Sequence, residues 1–308
     1  MSRVRCATLL GVALLLSACA TAVQIAPSAP PAPSAPPALT AAAPTPTTVP
    51  SPSPAPQPAP TPSLTPRPDP PVAADDPAAL AAQLTPAERG IRDAGVSGTE
   101  LAWLGHLQQV AYRKLSTRPD WRAAMLAAVP AALRPAVTAN LDATADLRAT
   151  VNPGSTLPPW LLVDPAPADE LLRYYRDAEA EFGVPWFYLA SIHLIETRMG
   201  RIRGVSTAGA QGPMQFMPAT WAAYGQGDVS SNRDSIRAAA RYLKANGAPG
   251  NMPNALFRYN QSDRYVRAVT AYAEVMRAEP DAYRGYHGWQ VYYLTLRGDI
   301  LLAVGYGR

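Results

Sequence analysis

A proline-rich tract confines any compact fold to the C-terminal part of this 308-residue chain. Proline accounts for 19 of the 45 residues between Pro27 and Pro71, and alanine, serine and threonine supply most of the others. Proline has no amide hydrogen to donate, and this composition lacks the apolar periodicity with which a core is packed. We therefore expect a disordered, semi-rigid spacer that rises about 3.1 Å per residue and reaches on the order of 100 Å.

The N-terminus has the pattern of an export signal. Arg3 and Arg5 precede an apolar run from Ala7 to Leu16, and small residues follow it. The run is too short for a stable transmembrane helix, which needs roughly 20 apolar residues. Its end, Leu16-Ser17-Ala18-Cys19, resembles a bacterial lipobox, which implies that Cys19 is lipidated and becomes the new N-terminus.

Lipidation of Cys19 predicts an extracytoplasmic protein that is anchored to the membrane and faces the cell wall. The alternative is a conventional signal cut near Ala20 or Ala22, which leaves a secreted protein. In either case no cysteine remains in the folded region, because Cys6 and Cys19 are the two cysteines of the chain. This excludes a disulfide, a thiolate metal site and a cysteine nucleophile.

Charge argues against nucleic acid as a partner. The formal net charge is +4, and about +2 is left once Arg3 and Arg5 are removed with the signal. A loop with Asp228, Asn232 and Asp234 faintly resembles a calcium loop, but the required glycine and terminal glutamate are missing. We expect neither a metal nor a cofactor.

Apolar residues recur at helical spacing through the folded region, and the pattern changes near the C-terminus. Leu101, Leu104 and Leu107 share one helical face. The pattern recurs over 121–133 and 136–147, where Pro130 and Pro135 break it into two or three short helices. Further helices are predicted over 168–182 and 186–199, and strands over 288–296 and 300–304. The sequence thus predicts a mainly α fold that ends in a short β-hairpin.

Glu196 lies in the last turn of the predicted helix 186–199, just before Gly200. The helix dipole disfavours an ionised carboxylate there, and apolar neighbours would further raise its pKa, as a general acid requires. From the helix alone, a surface glutamate paired with Arg198 or Arg201 is the competing interpretation.

Three sequence blocks in order carry a family resemblance. They read Ile-Glu-Thr-Arg-Met-Gly over 195–200, Ser-Thr-Ala-Gly-Ala-Gln-Gly-Pro-Met-Gln-Phe-Met-Pro-Ala-Thr over 206–220, and Phe-Arg-Tyr-Asn over 257–260. Together they resemble the lysozyme-like lytic transglycosylases of bacteria. The forms Glu-Thr-Arg-x-Gly and Gln-Phe-Met-Pro look like the membrane-bound lipoprotein branch typified by transglycosylase B, and residues 237–247 look like actinobacterial members.

The resemblance implies a lysozyme-like fold and peptidoglycan glycan strands as the binding partner. It implies that Glu196 is the single general acid/base that cleaves the β-1,4 bond between N-acetylmuramic acid (MurNAc) and N-acetylglucosamine (GlcNAc), leaving 1,6-anhydro-MurNAc ends. Substrate-binding roles are implied for five residues: Ser206, Met214, Gln215, Tyr259 and Asn260. A core-packing role for Met214 is equally compatible with the sequence.

Two other functions stay open at this point. A hydrolytic muramidase would usually need a second carboxylate, and Asp228, Asp234 and Asp263 lie in no motif that suggests a nucleophile. A catalytically silent peptidoglycan-binding module is the second alternative. The predicted organisation is a signal peptide (1–18), a lipidated cysteine with its linker (19–75), a helical segment (76–160) and a catalytic domain (161–308).

Overall fold

The computed structural model describes residues 69–307, so Cys19, the signal and most of the spacer lie outside the described residues. The α-helices are α1 Pro77–Arg92, α2 Gly98–Ser116, α3 Arg122–Ala128, α4 Arg134–Arg148, α5 Ala168–Phe182, α6 Trp186–Thr197, α7 Pro218–Tyr224, α8 Asn232–Ala245, α9 Met252–Tyr259, α10 Asp263–Ala278 and α11 Ala282–His287. The strands are β1 Leu161–Leu162, β2 Ile202–Arg203, β3 Val291–Thr295 and β4 Gly298–Leu302. None of the described helices has both the length and the apolar character to cross a bilayer.

The predicted mainly α fold with a C-terminal hairpin is confirmed. The region predicted to hold two or three short helices broken by Pro130 and Pro135 contains the 3₁₀ turn Pro119–Trp121, α3, the 3₁₀ turn Ala131–Leu133 and α4. Pro130 explains the interruption, because proline cannot donate the hydrogen bond that a continuous helix needs. The helix predicted over 186–199 ends at Thr197, since Arg198 adopts a left-handed conformation with φ of 54°.

A single hydrophobic cluster joins the helices before residue 160 to those after it. Leu84 of α1 and Leu141 of α4 belong to the same buried cluster as Leu189 of α6 and Tyr272 of α10. The Tyr272 hydroxyl also lies 3.1 Å from the Thr144 hydroxyl of α4, within hydrogen-bond distance. The N-terminal helices therefore complete the core of the C-terminal ones.

A buried polar network reinforces this packing around α1. The Glu88 carboxylate is fully buried and forms an ion pair with Arg92 at 2.5 Å. It also accepts hydrogen bonds from Gln108, at 3.0 Å, and from the Tyr112 hydroxyl of α2. Buried charge is tolerated only when it is paired and hydrogen-bonded, so these contacts fix α1 against α2.

The C-terminal hairpin lies against α2 and α4. β3 and β4 pair antiparallel, with Val291 opposite Leu302. Asp299 of β4 forms ion pairs with Arg113 of α2, at 2.7 Å, and with Arg148 of α4, at 3.0 Å. These contacts place the aromatic residues of β3 beside the C-terminal end of α6.

Candidate active site

Glu196 occupies the last turn of α6 and faces α10. The Tyr265 hydroxyl of α10 donates a hydrogen bond of 2.6 Å to Glu196 Oε1. Arg198 and Arg201 do not pair with Glu196, because their guanidinium groups donate to the carbonyl oxygens of Leu194 and His287, at 2.6 and 3.1 Å. No salt bridge of Glu196 occurs within residues 69–307, so the competing interpretation of a surface ion pair is wrong.

Burial raises the pKa of Glu196 from 4.5 to about 7, and the hydrogen bond from Tyr265 opposes this shift because it favours the charged carboxylate. Glu196 nevertheless keeps partial exposure to the surface. A carboxyl group with these properties holds a proton just below neutral pH and can release it to a bound molecule.

The backbone after Glu196 reverses direction within a few residues. Arg198, Met199 and Gly200 have successive φ values of 54°, 58° and 84°. Thr197 stabilises this turn: its hydroxyl donates to the carbonyl oxygen of Pro213 at 2.6 Å and accepts from the amide of Gly200 at 3.0 Å. The helix that carries Glu196 is thereby tied directly to the second sequence block.

That second block is a tight loop that requires glycine. Gly212 has a φ of 70°, and a Cβ atom there would lie 2.0 Å from the carbonyl oxygen of Val229. Gln211 and Phe216 close the loop with two backbone hydrogen bonds of 2.8 Å. Gln215, with a φ of 52°, donates from its side chain to the carbonyl oxygen of Gly212 at 2.9 Å.

The third block packs onto the second. The Tyr259 hydroxyl at the end of α9 donates to the carbonyl oxygen of Met214 at 2.6 Å. Burial raises the pKa of Tyr259, and the charge of Glu196 raises it further, so the two side chains are electrostatic neighbours. The structure therefore brings Glu196, Gln215 and Tyr259 into one region, with Asn260 exposed just beyond α9.

Met214 differs from the role expected for it, and Ser206 has a partner within its own loop. The Met214 side chain is fully buried in the hydrophobic core, so it has no surface with which to contact a sugar, and its expected substrate contact is wrong. Ser206 closes its own loop, since its hydroxyl accepts from the amide of Ala210 at 3.0 Å. Tyr265 is the site residue that sequence reasoning missed, because no motif surrounds it.

Two cavities flank this region. Glu196 lines one of about 250 Å³, together with Trp160, Tyr292 and several residues of α2, α4 and α10. Gln215, Tyr242 and Tyr259 line another of about 190 Å³. Glu196 is the only carboxylate among the residues that line either cavity.

The oxygen atoms of the acidic loop 228–234 serve local backbone structure. Asp234 Oδ2 accepts from the amide of Asp228 at 3.0 Å, and Asp228 Oδ1 accepts from the amide of Ser230 at 2.8 Å. Among residues 69–307 the structure contains no group of three or more His, Cys, Asp or Glu side chains that could hold a metal ion.

Replacing Tyr265 by phenylalanine is expected to raise the pKa of Glu196 further, because the hydroxyl that favours its charged form is lost. A titration of the ¹³C-labelled Glu196 carboxyl by NMR measures this shift. Tyr174→Phe is the matched control, since the Tyr174 hydroxyl donates to a different carboxylate, that of Glu170, at 2.7 Å. An unchanged Glu196 titration in Tyr265→Phe would contradict the assigned hydrogen bond.

The part of the chain that contains this site matches a known protein family. Residues 173–279 match the family model of the transglycosylase SLT domain, and the matched range includes Glu196, Gln215, Tyr259 and Tyr265. The match supports lytic transglycosylase activity on peptidoglycan in general terms. No curated protein and no solved structure matches the chain.

Proposed function

We propose that this chain is a lytic transglycosylase that cleaves the MurNAc–GlcNAc β-1,4 bond of peptidoglycan with Glu196 as its single acid/base. One observation carries the proposal: Glu196 is the only carboxylate among the residues that line the cavity. A pKa raised by burial to about 7 suits it to this role. Glycosidases that hydrolyse or form a covalent intermediate through protein carboxylates usually need two of them. The SLT match of residues 173–279 supports the same reaction class.

In the first step, protonated Glu196 donates its proton to the glycosidic oxygen as the C1–O bond of the muramyl sugar breaks. The positive charge that develops at C1 is stabilised by the sugar's own N-acetyl group, a substrate-assisted route that is known among glycosidases. Glu196 is left as a carboxylate, and the Tyr265 hydroxyl at 2.6 Å stabilises that charge.

In the second step, the Glu196 carboxylate takes the proton of the muramyl C6 hydroxyl, whose oxygen closes onto C1. This forms the 1,6-anhydro ring and returns Glu196 to its protonated state, so no water is consumed. Both proton transfers use one residue, and a pKa near the working pH suits a group that must alternate between acid and base.

Gln215, Tyr259 and Asn260 are proposed to bind the glycan strand on the side of the second cavity. Gln215 and Tyr259 line that cavity, and Asn260 is exposed next to it in sequence. Ser206 is proposed to act through the shape of the loop that precedes Gln215, because its hydroxyl holds the turn at Ala210.

We also propose that the protein is a lipoprotein of the branch typified by transglycosylase B, anchored through Cys19 and facing the cell wall. The support is the lipobox-like Leu16-Ser17-Ala18-Cys19 and the proline-rich spacer that follows it. Metabolic labelling with a palmitate analogue should label the wild type and leave Cys19→Ala unlabelled; label on both proteins would contradict the anchor.

Mass spectrometry of the muropeptides released from purified peptidoglycan tests the reaction. The chain from residue 20 onward should release products that are lighter, by one water molecule, than those of a muramidase. The reason is that the anhydro ring closes without the addition of water, whereas hydrolysis adds one water molecule to each cleaved bond. Products with reducing ends would identify a hydrolytic muramidase. Binding to the intact wall without any release would identify a peptidoglycan-binding module.

A further inference from the structure

One wall of the cavity beside Glu196 is cationic. Arg113 of α2, Arg148 of α4 and Arg198 after α6 all line it. The proposed acid/base chemistry uses none of these arginines, since Glu196 forms its hydrogen bond with Tyr265. These arginines come from three separate elements, and their shared position on one cavity indicates a role other than proton transfer.

The positive charge of this wall is only partly compensated. Asp299 is shared between Arg113, at 2.7 Å, and Arg148, at 3.0 Å. Arg198 instead donates to the carbonyl oxygen of Leu194. When Glu196 carries its proton, three guanidinium groups face one carboxylate, so the cavity has a surplus of positive charge.

Arg113 and Arg198 are also poorly solvated. Burial lowers the pKa of Arg198 to about 10, and repulsion from Arg113 adds to that shift. Nε of Arg113 is buried and has no hydrogen-bond partner within residues 69–307. A buried donor without a partner is unfavourable, and an anion that entered the cavity would reduce the repulsion between the guanidinium groups.

An aromatic side chain orients Arg113 in this wall. The Arg113 guanidinium lies over the Tyr292 ring of β3, 4.6 Å from its centroid. Asp299 pairs with Nη2 of Arg113, so Nε is the buried donor that remains without a partner in the described part of the chain. Stacking on a ring leaves the N–H groups of a planar guanidinium able to donate to a carboxylate oxygen.

We propose that Arg113 and Arg148 form a carboxylate-binding subsite for the lactyl side chain of the muramyl sugar that is being cleaved. This rests on the proposed function, because the glycan backbone itself is neutral and its anionic groups are attached through the muramyl lactyl ether. The carboxylate belongs either to a stem peptide or, in strands without peptides, to the lactyl group itself.

Three substrates and one pair of variants test the subsite. The substrates are strands that bear peptides, strands from which an amidase has removed the peptides, and amidase-treated strands whose lactyl carboxylates have been converted to neutral amides. The variants are Arg113→Gln and Arg148→Gln in the chain from residue 20 onward. Each is expected to lower kcat/KM about tenfold on carboxylate-bearing strands and to leave the neutral strands unaffected.

Two controls separate recognition from folding. Arg122→Gln removes an exposed arginine of α3 that pairs with Asp142 outside the cavity, and should change none of the rates. Asp299→Asn breaks the ion pairs to the hairpin but keeps both arginines, and should retain the preference for carboxylate-bearing strands. Loss of that preference in Asp299→Asn would indicate that the arginines act only by holding the hairpin.

The substrate that loses activity identifies the carboxylate. The expected loss on both carboxylate-bearing substrates indicates that the subsite accepts either carboxylate. A loss confined to peptide-bearing strands assigns it to the stem peptide alone, and a loss confined to amidase-treated strands assigns it to the lactyl group alone. Equal losses on all three substrates, or none, would overturn the subsite. Absence of cleavage by the wild type would refute the proposed function instead, and the affinity of each variant for the same strands would then decide the subsite.

Discussion

Glu196→Gln is expected to lower kcat/KM for glycan cleavage by about 10³–10⁴-fold at pH 6, because one side chain supplies both proton transfers. Glutamine keeps the shape of the side chain and can still accept the hydrogen bond from Tyr265, but it has no proton to donate at this pH. Release of soluble muropeptides from purified peptidoglycan measures the loss. Glu274→Gln, on the exposed side of α10 where Glu274 pairs with Arg277, is the matched control and should retain full activity.

The pH dependence of stability shows whether Glu196→Gln is folded. The native pKa of Glu196, about 7, lies above its usual 4.5, so folding favours the protonated form. The stability associated with this proton is present below about pH 4.5 and is lost as the pH rises through 7, to a total of about 3 kcal/mol. Glutamine cannot ionise and escapes this loss.

The melting temperature of Glu196→Gln should therefore equal that of the wild type near pH 4.5 and exceed it by several degrees at pH 8. Activity lost together with this gain in stability would assign the loss to chemistry. An active Glu196→Gln protein would refute the single acid/base. A variant that is less stable at pH 8 would contradict the enclosed position of the carboxyl group.

Residues 161–308 expressed alone are expected not to fold, although they contain the whole region matched by the SLT family model. Leu141 of α4 and Leu84 of α1 belong to the same buried cluster as Tyr272 of α10, so the fragment would expose the apolar surface that these helices cover. The Tyr286 hydroxyl would also lose its hydrogen bond of 2.5 Å to Asn140 of α4, and the Trp289 indole its bond of 2.9 Å to Gln108 of α2. Each large apolar side chain that loses its burial costs about 1.5–3 kcal/mol, and a domain has a net stability of only about 5–15 kcal/mol, so the fragment is expected to unfold.

The helicity of the fragment by circular dichroism and the dispersion of its amide proton chemical shifts by NMR measure whether it folds. Residues 69–308 serve as the folded reference. Adding the separate peptide 69–160 should restore helicity if the two parts form one core. A cooperative thermal transition of 161–308 alone would show that the N-terminal helices are a separate accessory unit.

The position of the acid could be inferred from the sequence because its determinants are local. Glu196 falls at the end of an apolar-periodic helix, and the glycine-rich block that follows it must form a tight loop. The structure agrees on both points, with α6 ending at Thr197 and Gly212 lying against Val229. Helix periodicity and the left-handed conformation of glycine depend on residues that are close together in the sequence. Such local features can be recognised from the sequence alone.

The environment of the acid could not be inferred in the same way. Tyr265 is 69 residues from Glu196, and Asp299 is 151 residues from Arg148. Met214 lies inside the recognised motif, yet its side chain is fully buried. Which face of a loop or helix is covered depends on neighbours that are distant in sequence, and no local pattern of one chain identifies them.

The sequence by itself determined the helical fold, the C-terminal hairpin and the place of Glu196 at a helix end. Only the tertiary structure decided that this carboxyl group is enclosed, that Tyr265 is its partner and that arginines from α2 and α4 line its cavity. The physical reason is one of range. Backbone conformation follows from neighbouring residues, whereas a pKa and the charge of a cavity follow from desolvation and from contacts that form only when α6, α10 and the hairpin pack together.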